Sequence, residues 1–491
     1  MHNIRGPRAP FFLLPLVSHE KNPLSLIMRL KILYVFMLLL ALCSCRAIDI
    51  VKPTISSADT GVLILPPSQI NIPVEIDLTS QLKEVEKSLP KQFEGKQEQC
   101  EGVSFSYKFI REPIDFQLKP NALYYEVDGK FELKLNYCPK CHELWDEKGS
   151  CTVPRIYASC GFDEPMRKVK VAYSTNVSIT EAYRFNTSTK LKKFDVLDPC
   201  EITVFKYDAT SEVEKQVRVQ LEALEKDIDK QIEDVDIRSS LQDVWKQLEE
   251  PMDLSGYGLL YLNPKSMALS PVSFENNPKR ATLNVLLTVQ PMISTNSVAQ
   301  QRTPLPNQAP YKNGDGFQLA ISVKASYDSI NKLMNQSMMG VDIPFNNKHI
   351  IIDSLQVLGQ QDQKLLVEVH FSGSKRGVFY LVGRPFITPE QHFVMSDVEY
   401  DLNSKSVLLK TAKWLFDKRI LEELSKAADY DLNPLLQETK VSINQQLNTA
   451  LAEGVFLSGK VDQLSVSSLV LGAKEFYMLT LVSGNMKLKM K

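Results

Sequence analysis

The chain has 491 residues, with 57 basic and 58 acidic side chains and a formal net charge of −1. That balance, without any long basic tract, argues against a nucleic-acid partner, and a 44% hydrophobic content argues against bulk disorder. The length suffices for two or three domains with their own cores.

Met28-Arg29-Leu30-Lys31 forms a short basic region ahead of an apolar run from Ile32 to Leu42. This is signal-peptide architecture, too short for a comfortable membrane span, with an uncleaved anchor helix as the alternative. Residues 1–44 therefore read as a signal peptide whose true start is Met28. The run ends in Leu42-Cys43-Ser44-Cys45, which resembles a bacterial lipobox. The resemblance implies a lipid, palmitate among its acyl groups, on Cys45, because Ser44 supplies the small residue before it and Leu42 does so worse for Cys43. Arg46 stands where an inner-membrane lipoprotein carries Asp, which implies the outer membrane of a bacterial envelope.

Residues 45–69 read as a tether ending in Pro66-Pro67. Ile70, Ile72, Val74, Ile76 and Leu78 then alternate with polar residues as a strand, which Pro73 assigns to an edge or a bulge. Thr79 can cap a short helix with Leu82, Val85 and Leu89 on its apolar side. Val103 opens a β segment, and two more, NALYYEV and KFELKLNY, flank an expected turn at Asp128-Gly129.

Six cysteines lie between 100 and 200: Cys100, Cys138, Cys141, Cys151, Cys160 and Cys200. An even number in an exported chain favours disulfides, in any of fifteen connectivities. Cys138-Pro139-Lys140-Cys141-His142 also has the c-type haem attachment spacing, and Cys138, Cys141, Cys151 and Cys160 could instead hold zinc. A disulfide-pinned loop, an insertion over 138–160, is the favoured reading, with neither metal nor haem.

From Ser211 to Leu248 apolar residues fall at Val213, Val217, Leu221, Leu224, Ile228, Ile232 and Val235, then, slightly rotated, at Leu241, Val244, Trp245 and Leu248. Steps of four and three put them on one face of a helix about 55 Å long. Its partner is either a long apolar sheet or, in a coiled coil, a second chain. Further strands lead to 294–316, rich in Ser, Asn, Gln and Pro, which reads as an interdomain linker. The order then starts again. A strand from Phe317 is followed by a helix capped by Ser326 or Asp328, with Ile330, Leu333, Met334 and Met338 on one side. Strands are expected at HIIIDSLQVL, KLLVEVHFSG, GVFYLVGRP and VLLKTAKWLF, and a helical stretch over 419–454 must break at Pro434.

Both halves thus read strand, short helix, long strands, long helix, strands. The order resembles the tubular lipid-binding (TULIP) superfamily, in which a highly curved antiparallel sheet wraps a long helix around an apolar tunnel. The resemblance implies an α+β fold of two tandem modules, at 70–293 and 317–491. A closer likeness, to bacterial lipoproteins known only as a domain of unknown function, rests on INIPVEI, Ala158-Ser159-Cys160-Gly161, Asp198-Pro199-Cys200, Trp245 through Pro251 and Leu262-Asn263-Pro264. That likeness implies a Cys160–Cys200 disulfide and no enzymatic activity. No H-E-x-x-H, G-x-S-x-G, Walker A or G-x-G-x-x-G motif is present. The expected function is non-enzymatic binding of a lipid or other hydrophobe. The candidate lining is Val217, Leu221, Leu224, Ile228 and Ile232 in the first half, and Leu333, Met334, Leu436, Ile443 and Leu447 in the second. Sixteen buried carbons would contribute roughly 10 kcal/mol before entropy losses. The alternative is an envelope scaffold with filled cores.

Overall fold

The computed structural model describes residues 48, 50–55, 63, 65–142, 150–201, 208–254, 258–416 and 418–491. The signal peptide, Cys43 and Cys45 lie outside them. The fold is mixed α+β, about 50% strand and 23% helix, so sheets set its shape, and two of them curl into half-barrels.

Three large sheets follow one another. The first end sheet has seven strands, in the order Phe185–Val196, Arg167–Ile179, Ala122–Cys138, Gly102–Arg111 and Gln92–Gln97, with Asp115–Lys119 and Ile156–Cys160 also paired to the long strand. The second end sheet has six strands, from Asp342–Phe345 through Lys348–Gln361, Lys364–Gly373, Gly377–Ile387 and His392–Tyr400 to Tyr430–Asp431. Between them lies a central sheet of eleven strands drawn from both halves of the chain. Its axis is Ser68–Asp77, which pairs along its whole length with Arg280–Val289. On its other side the same strand meets Phe317 and Gln318 of the second half, then Leu488, Lys489 and Met490.

The strand Ser68–Asp77 is therefore interior, whereas Pro73 pointed to an edge. Pro73 falls in the gap between those two short pairings, where no partner needs its missing N–H. The turn expected at Asp128-Gly129 is also absent: Ala122–Cys138 is one strand of seventeen residues. Gly129 sits in it because the Phe109 ring packs where a Cβ would be, at 2.3 Å.

Seven α-helices are described: α1 (Thr79–Ser88), α2 (Thr210–Glu233), α3 (Ile237–Glu249), α4 (Tyr327–Met338), α5 (Leu402–Thr411), α6 (Lys418–Ala427) and α7 (Asn433–Gln446). The single rod expected over 211–248 is two helices. Asp236 interrupts it, accepting the Ser239 N–H at 3.1 Å as the N-cap of α3, and the rotation of the apolar stripe marks the same break. Ser326 caps α4 as expected, and Pro434 stands in the first turn of α7. VLLKTAKWLF is helical instead of a strand: Asp401 caps α5 by accepting the Asn403 N–H at 2.9 Å, and Leu408 and Leu415 are fully buried.

The segment after Ser294 carries no helix or strand until Phe317, yet it is packed down. Leu305 is buried in the central core. Gln242 of α3 accepts the Leu305 N–H at 2.8 Å, and Arg238 donates to the Leu305 carbonyl at 3.1 Å. Trp245 donates to the Thr303 hydroxyl, which in turn donates to Glu249 at 2.7 Å. The Trp245–Pro251 stretch thus starts with the face of α3 that clamps this segment. The stretch read as a tether is also docked where it is described. Ile48 and Ile50 are buried in the core of the second end sheet, Ile48 bridges Gly377 in parallel register, and Lys52 lies 3.8 Å from Glu368.

Candidate functional site

In an antiparallel sheet directly paired residues share a face, and so do residues two apart along a strand. In the first end sheet that rule puts Val103, Phe105, Tyr107 and Phe109 on one side with their partners Tyr137, Leu135, Leu133 and Phe131. Phe93 joins opposite Phe109, and Ile156 opposite Tyr137. On the far strands Val169, Val171, Tyr173 and Phe194 complete the same face. The result is one apolar surface across the sheet, which we call the inner face. Tyr125 and Tyr173 stack on it, with ring centroids 5.7 Å apart. Burial pushes both phenols above the usual tyrosine range, so they stay protonated and add no charge.

Helix α2 covers only part of this face. It lies beside the edge strand Phe185–Val196 and bonds to it through three carboxylates one turn apart. Glu225 accepts the Leu191 N–H at 2.7 Å, Asp229 the Thr189 N–H at 2.8 Å and Glu233 the Thr187 N–H at 2.9 Å. These satisfy the outward amides that an edge strand would otherwise expose. Tyr173 fixes the helix from the sheet side by donating to the Leu221 carbonyl at 3.0 Å. Val213, Val217, Leu221 and Ile228 pack against the inner face. Leu224 lies about 100° around the helix from Glu225, on the stripe of Val213 and Val217, and is 46% exposed.

Beyond α2 the inner face is open. Phe93, Val103, Tyr107, Tyr137 and Ile156 are each between 40% and 49% exposed. At one end the face meets α1, held there by Arg111, which follows Phe109 by two residues and shares its side. Arg111 donates to Glu86 at 2.7 Å and to the Leu89 and Pro90 carbonyls at 2.8 Å each. The site is thus a groove, floored by aromatic and aliphatic side chains, walled by α2 and open on its remaining side. The expectation was a tunnel.

Of the residues singled out in the first half, Val217, Leu221 and Ile228 line this site, Leu224 is exposed on the same stripe, and Ile232 is half-buried near the end of α2. The second-half set does not converge. Met334 packs on the second end core, Ile443 and Leu447 on the central core, and Leu436 is half-buried on α7. The Leu333 side chain lies outside the described residues. That half is filled, with Ile350, Ile352, Val369, Phe371, Phe379, Leu408, Leu415 and Ile420 fully buried. The exposed floor of the first-half groove was not singled out from the sequence. Its signal was the alternation Val103, Phe105, Tyr107, Phe109; what alternation does not say is that nothing covers the apolar side.

Three disulfides cross-link the first end sheet and its loops. Cys160 joins Cys200, Cys138 joins Cys151 and Cys100 joins Cys141, with Cα–Cα separations of 5.4, 5.7 and 5.5 Å. Cys138 and Cys141 are thereby committed to different partners, and neither offers a thiolate to zinc or a thioether to haem. Among the described residues no group of three His, Cys, Asp or Glu side chains is placed to hold a metal ion. The Cys160–Cys200 bridge ties the first end sheet to the chain entering α2. Gly161 follows at φ +72°, where a Cβ would meet the Phe131 carbonyl at 2.7 Å. In Leu262-Asn263-Pro264, Asn263 takes φ +48° and donates to the Gln290 carbonyl at 3.1 Å.

A family model described as "Domain of unknown function (DUF4403)" matches residues 66–490. No curated protein matches the chain. Among solved structures, a lipopolysaccharide binding protein aligns over 87% of this chain and 100% of its own, at 11% identity and a TM-score of 0.23. P47 of Clostridium botulinum E1 aligns over 86% and 99%, at 11% identity and a TM-score of 0.17. Likenesses that loose carry no functional argument.

Proposed function

Since the chain belongs to the DUF4403 family, whose description assigns no activity, we propose a function from the geometry of its open face. The protein is a non-enzymatic binder of lipid or a comparable hydrophobe, held at the bacterial cell envelope, at the outer membrane, by a lipid on Cys45. Its curled end sheets are modules of the tubular lipid-binding kind, and the ligand lies in the groove of the first. The observation that carries this reading is the uncovered run of Phe93, Val103, Tyr107, Tyr137 and Ile156, with Leu224 likewise exposed on the apolar stripe of α2. An uncovered apolar surface marks a binding site more often than a passive surface, and acyl chains need apolar area with few polar anchors.

The filled core of the second half favours a second reading for that half, a scaffold with no ligand of its own. The test uses the Cys45→Ser chain, exported and purified without detergent, with native mass spectrometry followed by organic extraction. Acyl lipid is expected at a stoichiometry near one, with affinity falling about tenfold in Val103→Lys and about tenfold in Tyr107→Lys, because each loses a contact of roughly 1.5 kcal/mol. Bare protein at the calculated mass, even after incubation with phospholipid vesicles, would overturn the ligand reading and leave the scaffold.

A further inference from the structure

The strap that follows Cys45 is not a free leash. The Ile48 amide donates to the Arg376 carbonyl at 2.9 Å, and the Val378 amide to the Ile48 carbonyl at 3.1 Å. A Cβ on Gly377 would meet the Ile48 carbonyl at 2.4 Å, so this glycine is what lets the strap come so close. Further along, Asn403 donates to the Val51 carbonyl at 3.3 Å, and Ile55 lies over Gly359. Ile48 is three residues from Cys45, about 10 Å at full extension. Whatever holds Cys45 is therefore held close to the turn Ser374–Arg376.

That end of the molecule is basic. Lys375 and Arg376 are exposed on the turn itself. Ser374 exchanges hydrogen bonds with the His349 backbone, at 3.0 Å each way, which brings Lys348 alongside. Lys348 lies 5.0 Å from the ring centre of Trp414, which stacks on Phe345 and follows the exposed Lys413. Among the described residues, Lys348, Lys375, Arg376 and Lys413 form no ion pair. The nearby Asp342 carboxylate is taken by His349 at 3.1 Å. Four cations and a half-buried indole at the docking point of the anchor match an anionic lipid surface, which attracts basic side chains and accommodates Trp at headgroup level.

We infer that the Lys348, Lys375, Arg376 and Lys413 end of the second half is the face this protein lays on an anionic phospholipid surface. The inference rests on the reading that Cys45 carries lipid. The anchor and these cations then act together, as a lipid chain with a basic patch does. The groove of the first half, beyond the central sheet, is held away from that membrane.

The experiment is amine footprinting on the intact chain in vesicles of phosphatidylglycerol or of phosphatidylcholine, after mass spectrometry of the N-terminal peptide. In phosphatidylglycerol, acylation of Lys348, Lys375 and Lys413 is expected to slow about fivefold relative to the exposed Lys83 of α1, and to recover in high salt. In phosphatidylcholine the protection should be much weaker. A lipid-bearing Cys45 with equal labelling in both vesicles would sink this orientation alone and point to a protein at that end. An unmodified Cys45 would remove the premise and overturn both.

Discussion

At the scale of single residues, Arg111 does the most for the candidate site and was not singled out from the sequence. It is 6% exposed and donates to Glu86 and to the Glu86, Leu89, Pro90 and Glu112 carbonyls. The first three of those carbonyls lie in the last turn of α1 or just past its end, where a helix leaves acceptors unpaired. Arg111→Ala would orphan them and a half-buried carboxylate together, for a loss of about 3 kcal/mol in urea unfolding. Burial works against the Glu86 charge, yet the Arg111 hydrogen bond and the Ile114 amide hold its carboxyl below the usual range. A lowered folded-state pKa stabilises at neutral pH and ceases to do so as pH falls through it. The gap between wild type and Arg111→Ala should therefore narrow in acid, and a gap independent of pH would refute the ion-pair account. Nothing in the sequence marks Arg111, because its partners on α1 lie more than twenty residues away. Ser326 and Pro434, by contrast, act on their own neighbours and were legible.

Among elements, α2 shows what periodicity can and cannot convey. The stripe Val213–Val217–Leu221–Ile228 was legible, and it packs on the sheet. The carboxylates at Glu225, Asp229 and Glu233 read as an ordinary solvated face, although they occupy the amides of an edge strand. Asp229→Ala leaves the amide of Thr189, itself 1% exposed, without its acceptor. The expected cost is about 1–3 kcal/mol, read by chemical denaturation. The freed edge should also promote self-association, read by light scattering. An unchanged midpoint and a monodisperse sample would show these bonds to be dispensable. The misread stretch, 407–416, failed for a related reason. A short apolar run fits a strand or a buried helix equally well, and only the Asp401 cap separates them.

At the level of the whole molecule, a mixed α+β fold with two curled sheets was legible as a repeated order of elements, but the sheet that both halves of the chain share was not. Val74 pairs with Leu488, and local patterns carry no information about register over such a separation. The central core mixes Ile70, Leu287 and Val289 with Phe317, Ile321, Val461 and Val482. Residues 66–293 expressed alone would keep the Ser68–Asp77 to Arg280–Val289 pairing but lose the other wall of that core. They should behave as an expanded, aggregation-prone species with no cooperative thermal transition. A sharp calorimetric transition from that fragment would show that the first half folds independently.

The docked strap also sets a mechanical hierarchy. A pull on Cys45 would first meet Ile48, held by backbone bonds to Arg376 and Val378 and by burial. It would next meet Val51, bonded to Asn403, and Ile55 over Gly359, and only then Ser68–Asp77, whose pairing with Arg280–Val289 alone runs over ten residues. The strap is the weaker of the two and releases first. From Cys45 to Ser68 it frees roughly 75 Å of chain. Under load at Cys45 the chain would thus pass from a short moored form to a long tethered one, with the sheets left intact.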